Sequence, residues 1–106
     1  MTTYPLPTAT IRALLLVVLS VTMGGCAGVP AQEMSNARQA IKAARDAGAG
    51  QVVPQKLNEA QSLLEQAEMS LQKGDYRSAR RNAVEARGRA TEALSAVQTS
   101  ESREAG

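Results

Sequence analysis

Between residues 76 and 97 one small apolar position recurs at spacings that alternate between three and four: Tyr76, Ala79, Ala83, Ala86, Ala90, Ala93 and Val97. Each residue of an α-helix turns about 100° from the last, so this progression holds every member on one narrow face. A strand would send alternate members to opposite sides, and the pattern therefore commits the segment to a helix with a continuous seam. A row of methyl groups lets a second helix axis approach closely, and that partner must bring the bulkier side chains. Leu57, Ala60, Leu64, Ala67 and Leu71 supply them, in the same alternation. A third, shorter stripe of Ala37, Ala40, Ile41 and Ala44 precedes both.

The residues between the stripes are helix punctuation. Ser35 is placed to cap the first helix, and Gly48, Ala49 and Gly50 end it. Pro54 suits a first helical position, where its missing N–H has no partner to lose. Gly74 supplies a C-terminal stop and Asp75 an N-cap for the third helix. Short connections leave successive helices no route but back along their neighbours. The fold class is thus all-α, a short antiparallel bundle of three helices over residues 34–98, with an Ala-rich hairpin and one preceding helix. Residues 99–106 are polar and are expected to form a disordered tail. The expected buried set is Met34, Ile41, Val52, Val53, Leu57, Leu63, Leu64, Leu71, Tyr76, Leu94 and Val97.

Upstream the chain changes character. Arg12 and a free amine precede an apolar run over residues 13–23, followed by Gly24, Gly25 and Cys26, the single cysteine. A run of about 11 residues is too short to span a bilayer, which takes about 20, and the layout is that of a secretory signal peptide rather than a stop-transfer anchor. Met23, Gly24, Gly25 and Cys26 together resemble the lipobox of bacterial lipoproteins, with Met23 where leucine is commonest. That resemblance implies cleavage by signal peptidase II after residue 25 and acylation of Cys26; residues 26–33, with Gly28 and Pro30, are expected to form a short flexible tether. Ala27 stands where an Asp would hold a lipoprotein in the inner membrane, so the resemblance favours the periplasmic face of the outer membrane. The competing outcome is cleavage by signal peptidase I after Ala27 or Ala31, which would release a soluble, cysteine-free protein. One cysteine excludes a disulfide within the chain.

Two further resemblances concern the helices. The stretch LLEQAEMSLQKGDYRSARRNAVEA, with Ala67, the turn Gly74, Asp75 and Tyr76, and then Ala79 and Ala86, resembles a single tetratricopeptide-type hairpin. Such repeats normally need three or more copies to bury a continuous core. Over a longer span, ARQAIKAARDAGAGQVVPQKLNEAQSLLEQAEMSLQKGDYRSARRNAVEARGRA is similar to the DUF4398 group of proteobacterial envelope proteins, a domain of unknown function. Members are often small lipoproteins, some with a following OmpA-like peptidoglycan-binding domain, which this sequence does not include. The resemblance implies a location and a fold, and leaves peptidoglycan open as a partner.

The residue inventory excludes more chemistry than it suggests. There is no His, Trp or Phe, so the usual side chains for metal binding, proton transfer near neutral pH and base stacking are missing. No serine has a neutral base to activate it, and no enzymatic activity, metal or cofactor is expected. The full chain carries a formal charge of +2. Since Arg12 belongs to the leader, 11 basic side chains face 10 acidic ones in the remainder, and nucleic acid is not an expected ligand. Arg77, Arg80, Arg81 and Arg87 do share one helical face and are candidates for contact with an acidic partner or an anion; the alternative is a solvated face supported by pairs such as Lys42 with Asp46 and Glu85 with Arg89. The expected protein is a lipid-anchored helical interaction or scaffold module of the cell envelope, meeting a protein partner or its own copies. A soluble chaperone-like or ligand-carrier protein is the alternative.

Overall fold

The structure, a computed structural model, describes residues 28–106. The expected leader over residues 1–25, and with it Met23, Gly24, Gly25 and the lipidation candidate Cys26, lies outside the described residues. Among those described there is no strand. Helix α1 spans Ala31–Asp46, α2 is the single turn Ala49–Val52, α3 spans Pro54–Gln72 and α4 spans Tyr76–Ala105.

The punctuation residues act largely as their chemistry dictates. Pro54 opens α3 at its first turn. Gly74 takes φ 78°, its N–H donates to the Leu71 carbonyl at 3.0 Å, and the Asp75 N–H reaches back to the Ser70 carbonyl at 2.9 Å. This pair of bonds closes the last carbonyls of α3 in a Schellman arrangement, which needs a left-handed residue at the glycine. Asp75 then serves the next helix, because its Oδ1 accepts the Ser78 N–H at 3.2 Å. At the other loop Gly48 takes φ 95° and separates α1 from α2.

The start of α1 departs from expectation. Ser35 lies inside the helix, where its hydroxyl accepts from the Gln39 amide at 3.2 Å, and no side chain caps α1. Pro30 occupies the capping position, its carbonyl accepts the Met34 N–H at 3.0 Å, and its ring is fully buried. A proline already fixed near helical φ is thus a sufficient nucleus, and the tether expected over residues 26–33 is helical from Ala31 onward. The far end also differs. Instead of a disordered tail from Thr99, α4 continues to Ala105, because Gln, Glu, Arg and Ala are good helix formers and no Gly or Pro intervenes before Gly106.

The buried residues form two connected layers. Near the α3–α4 turn, Met34 and Ala37 of α1 meet Ala67 of α3 and Ala83 and Ala86 of α4. Toward the opposite end, Ile41 and Ala44 meet Ala49, Leu57, Ala60, Ala90, Ala93 and Val97. Helix α1 therefore runs parallel to α4, and α3 runs antiparallel to both. Exposed ion pairs keep the same register: Lys56 with Glu92 at 3.5 Å and Arg89 with Glu59 at 3.8 Å stand symmetrically about Gly74 in sequence. Arg89 also reaches Glu92 at 3.4 Å, rather than the expected Glu85. Lys42 pairs with Asp46 at 2.6 Å, as its spacing implies.

Alanine fills the seam: Ala79, Ala83, Ala86, Ala90 and Ala93 are each 0% exposed. Leu63, Leu64, Leu71, Val53 and Leu94 pack half-buried around it. Two residues of the expected core are outside it. Val52 is 46% exposed, since the single turn of α2 spends its inward position on Ala49. Tyr76 is 39% exposed because it opens α4 at the turn, beyond the last layer in which three helices meet.

Candidate functional site

Three alternating helices place the beginning of α1 beside the α3–α4 turn, and this end of the bundle gathers the chemistry. Arg80 ties the two together. Its Nε lies 3.3 Å from Glu33 Oε1, and its Nη2 donates to the Gly28 carbonyl at 3.3 Å, so residues 28–30 are strapped to the first turns of α4. Together with buried Pro30, this bond fixes where the chain enters the bundle. Arg80 is therefore an internal clamp and not a free ligand group.

The other three arginines of the expected cluster separate. Arg77 and Arg81 are exposed on the opening turns of α4, and Arg81 leans on the Ser78 hydroxyl at 3.3 Å. Among the described residues neither forms an ion pair, nor does Arg87. Arg87 stands six residues beyond Arg81, about 9 Å along the axis, and belongs to the middle of the helix. Lys73, exposed immediately before Gly74, takes its place at the turn. The exposed turn residues Gly74, Asp75 and Tyr76 complete this end.

Asp75 is the acid among these cations. Its carboxyl is held below the usual aspartate range, first by the side-chain bond and the backbone N–H of Ser78 and then by the charges of Arg81 and Arg77. The carboxylate is thus committed to capping α4, and its local charge offsets only one of Lys73, Arg77 and Arg81.

Elsewhere the surface is chemically blunt. No polar or charged side chain is buried among the described residues, so they enclose no polar pocket. A shallow open groove between α3 and α4 is lined by Glu59, Ser62, Leu63, Gln66, Glu85 and Arg89, with Arg89 already paired to Glu59. No helix of the described residues is long and apolar enough to cross a membrane.

An alanine-seamed, three-helix bundle with a strapped N-terminal entry and a basic turn is the class of protein these features define. Within that class the chain belongs to the family described as "Domain of unknown function (DUF4398)", whose family model matches residues 32–105. The match begins in the first turn of α1 and ends at the last residue of α4, so the family unit and the bundle coincide. No curated protein and no solved structure matches the chain significantly.

Proposed function

We propose that the protein is a lipoprotein of the outer membrane, anchored on its periplasmic face through acylated Cys26, whose helical bundle is an interaction or scaffold module of the cell envelope. The observation that carries this reading is Gly24, Gly25 and Cys26 directly after the apolar run over residues 13–23. Two acyl chains or more on one residue make a stable anchor, where a single chain holds only marginally. The bundle itself supports an interaction role rather than catalysis: its interior is methyl groups and aliphatic side chains, and its functional groups are exposed and widely spread.

The entry of the chain into the bundle weighs against release by cleavage after Ala31. Such a cut would remove buried Pro30 and the Gly28 carbonyl held by Arg80. Cleavage before Cys26 leaves both in place. The test is metabolic labelling with a fatty acid, followed by the mass of the mature N-terminus. The native chain should incorporate label and begin at an acylated Cys26, while Cys26→Ala should remain an uncut, unlabelled precursor. A labelled Cys26→Ala chain, or a native chain beginning at Gly28 or at a bare Gln32, would overturn the reading.

A further inference from the structure

The end of the bundle that receives the N-terminal strap is also the end with unpaired positive charge. Gly28 is fixed against Arg80, and two peptide units separate it from Cys26. Fully extended chain covers at most about 3.6 Å per residue, so the Cys26 backbone cannot lie more than about 7 Å from Gly28. A lipid on Cys26 therefore anchors the molecule at the end of the bundle that carries the α3–α4 turn. Exposed at that turn are Lys73, Arg77 and Arg81, opposed only by Asp75, since Glu33 is neutralised by Arg80. Of the five large hydrophobic residues exposed among the described residues, two, Val29 at 51% and Tyr76 at 39%, lie at this same end. Basic side chains beside an exposed aromatic ring match the headgroup region of a membrane, where tyrosine places its ring among lipids and its hydroxyl in water.

We infer that Lys73, Tyr76, Arg77 and Arg81 form a membrane-contact surface that seats the hairpin turn on anionic phospholipid headgroups, so that the helices stand up from the bilayer instead of swinging on a tether. The inference rests on the lipid-anchor reading for what brings the surface to the membrane, and adds the orientation and the lipid chemistry. Each basic residue at such a surface biases the seated state about fivefold, so removal of all three lowers it about a hundredfold. Asp75 reduces the net attraction but remains bound to the start of α4. Arg87, farther along the axis, takes no part.

The chain contains no Trp, so a single introduced Trp is a clean reporter. Tyr76→Trp marks the seated end, and Gln98→Trp marks a point 22 residues along α4, about 33 Å away by helical rise. The protein purified from membranes is reconstituted in vesicles of phosphatidylglycerol, or of phosphatidylcholine, with bromine-labelled acyl chains. The expected result is a blue-shifted, quenched Trp at 76 in phosphatidylglycerol, weak quenching there in phosphatidylcholine, and none at 98 in either. Lys73→Glu, Arg77→Glu and Arg81→Glu together should abolish the difference between lipids with helicity unchanged. About 1 M salt, which shortens screening to about 3 Å, should do the same in the unmutated background. Equal quenching at 76 and 98, or quenching at 76 that ignores lipid charge and salt, would overturn the inference. The mass of the same sample shows whether Cys26 is acylated: without acyl chains the anchor reading fails, while charge-dependent quenching at 76 on added vesicles still decides the surface.

Discussion

The alanine seam makes a sharp prediction about volume. Ala86 is 0% exposed and lies in the layer where Met34 and Ala37 of α1 meet Ala67 of α3. Ala86→Leu adds three carbon atoms at a point where three helices already touch, and such overpacking costs about 1 to 3 kcal/mol. A domain of this size has about 4 to 11 kcal/mol of stability in total and loses about 4 to 8 °C of Tm per kcal/mol. The expected fall in Tm is therefore at least about 4 °C and as much as about 24 °C. Ala43→Leu is the matched control, since Ala43 is exposed on α1 and Leu and Ala differ little in helix propensity. It should stay within about 0.5 kcal/mol of the native chain. Thermal and urea unfolding followed by circular dichroism measure both, and the urea slope should be unchanged because the folded state buries the same surface. If Ala86→Leu unfolds at the same temperature as Ala43→Leu, the three helices do not approach closely at Ala86.

Other substitutions test single links. Gly74→Ala should destabilise by about 1 kcal/mol, because the residue has φ 78° and the new methyl would meet nothing within 4 Å, leaving backbone strain as the whole effect. Gly88→Ala, exposed inside α4 with equally open space, should instead stabilise by about 0.5 to 1 kcal/mol; the two opposite signs are read from urea midpoints. Arg80→Ala should speed amide exchange around residues 28–34 with a global loss of about 1 kcal/mol, since the ion pair it removes is half-buried and still reaches solvent. Asp75 has a depressed folded-state pKa, so its contribution is complete above the ordinary value of 3.8 and is lost as pH falls through the lower folded value. Asp75→Ala should therefore lower Tm near neutrality and flatten the decline in Tm below about pH 4.

Helix content and partner order were legible because they follow from spacing and turn chemistry. The stripes over residues 37–44, 57–71 and 76–97 name their own faces, and Pro54, Gly74 and Asp75 each have one chemical use in such a chain. Positions that depend on what surrounds an element were less legible. Tyr76 continues the seam by spacing, yet it opens α4 at the edge of the bundle, and periodicity contains no information about where a partner helix stops. The four arginines share a face by angle, but angle ignores distance along the axis and pairing with another helix. Glu33 removes Arg80 from the set, and axial distance removes Arg87. Lys73 lacks any such pattern because it is the C-cap of α3, immediately before the Gly74 turn and outside the α4 periodicity. The clearest missed signal was Pro30: set four residues before Met34, it was in position to begin α1 and to end any free tether.

An odd number of alternating helices has a consequence for reach. Residues 28–30 enter beside the α3–α4 turn, and α4, 30 residues long, leaves that end and finishes about 45 Å away. Its last buried residue is Val97, and past it the helix continues to Ala105 with Gln, Thr, Ser, Glu and Arg side chains that are mostly exposed. A helix polar all round gains nothing from docking its flank on the bundle, so this extension projects along the α4 axis. With Cys26 held at one end, a seated bundle would present Glu101, Arg103 and Glu104 at the greatest distance from the lipid. A lying bundle would bring those charges to the surface, where two carboxylates against one guanidinium face anionic headgroups and are repelled. The charge at both ends of α4 thus favours the same upright orientation. Adding Glu101→Lys and Glu104→Lys to the Lys73, Arg77 and Arg81 reversals should make Gln98→Trp the quenched reporter in phosphatidylglycerol, and continued absence of quenching there would show that charge does not set the orientation.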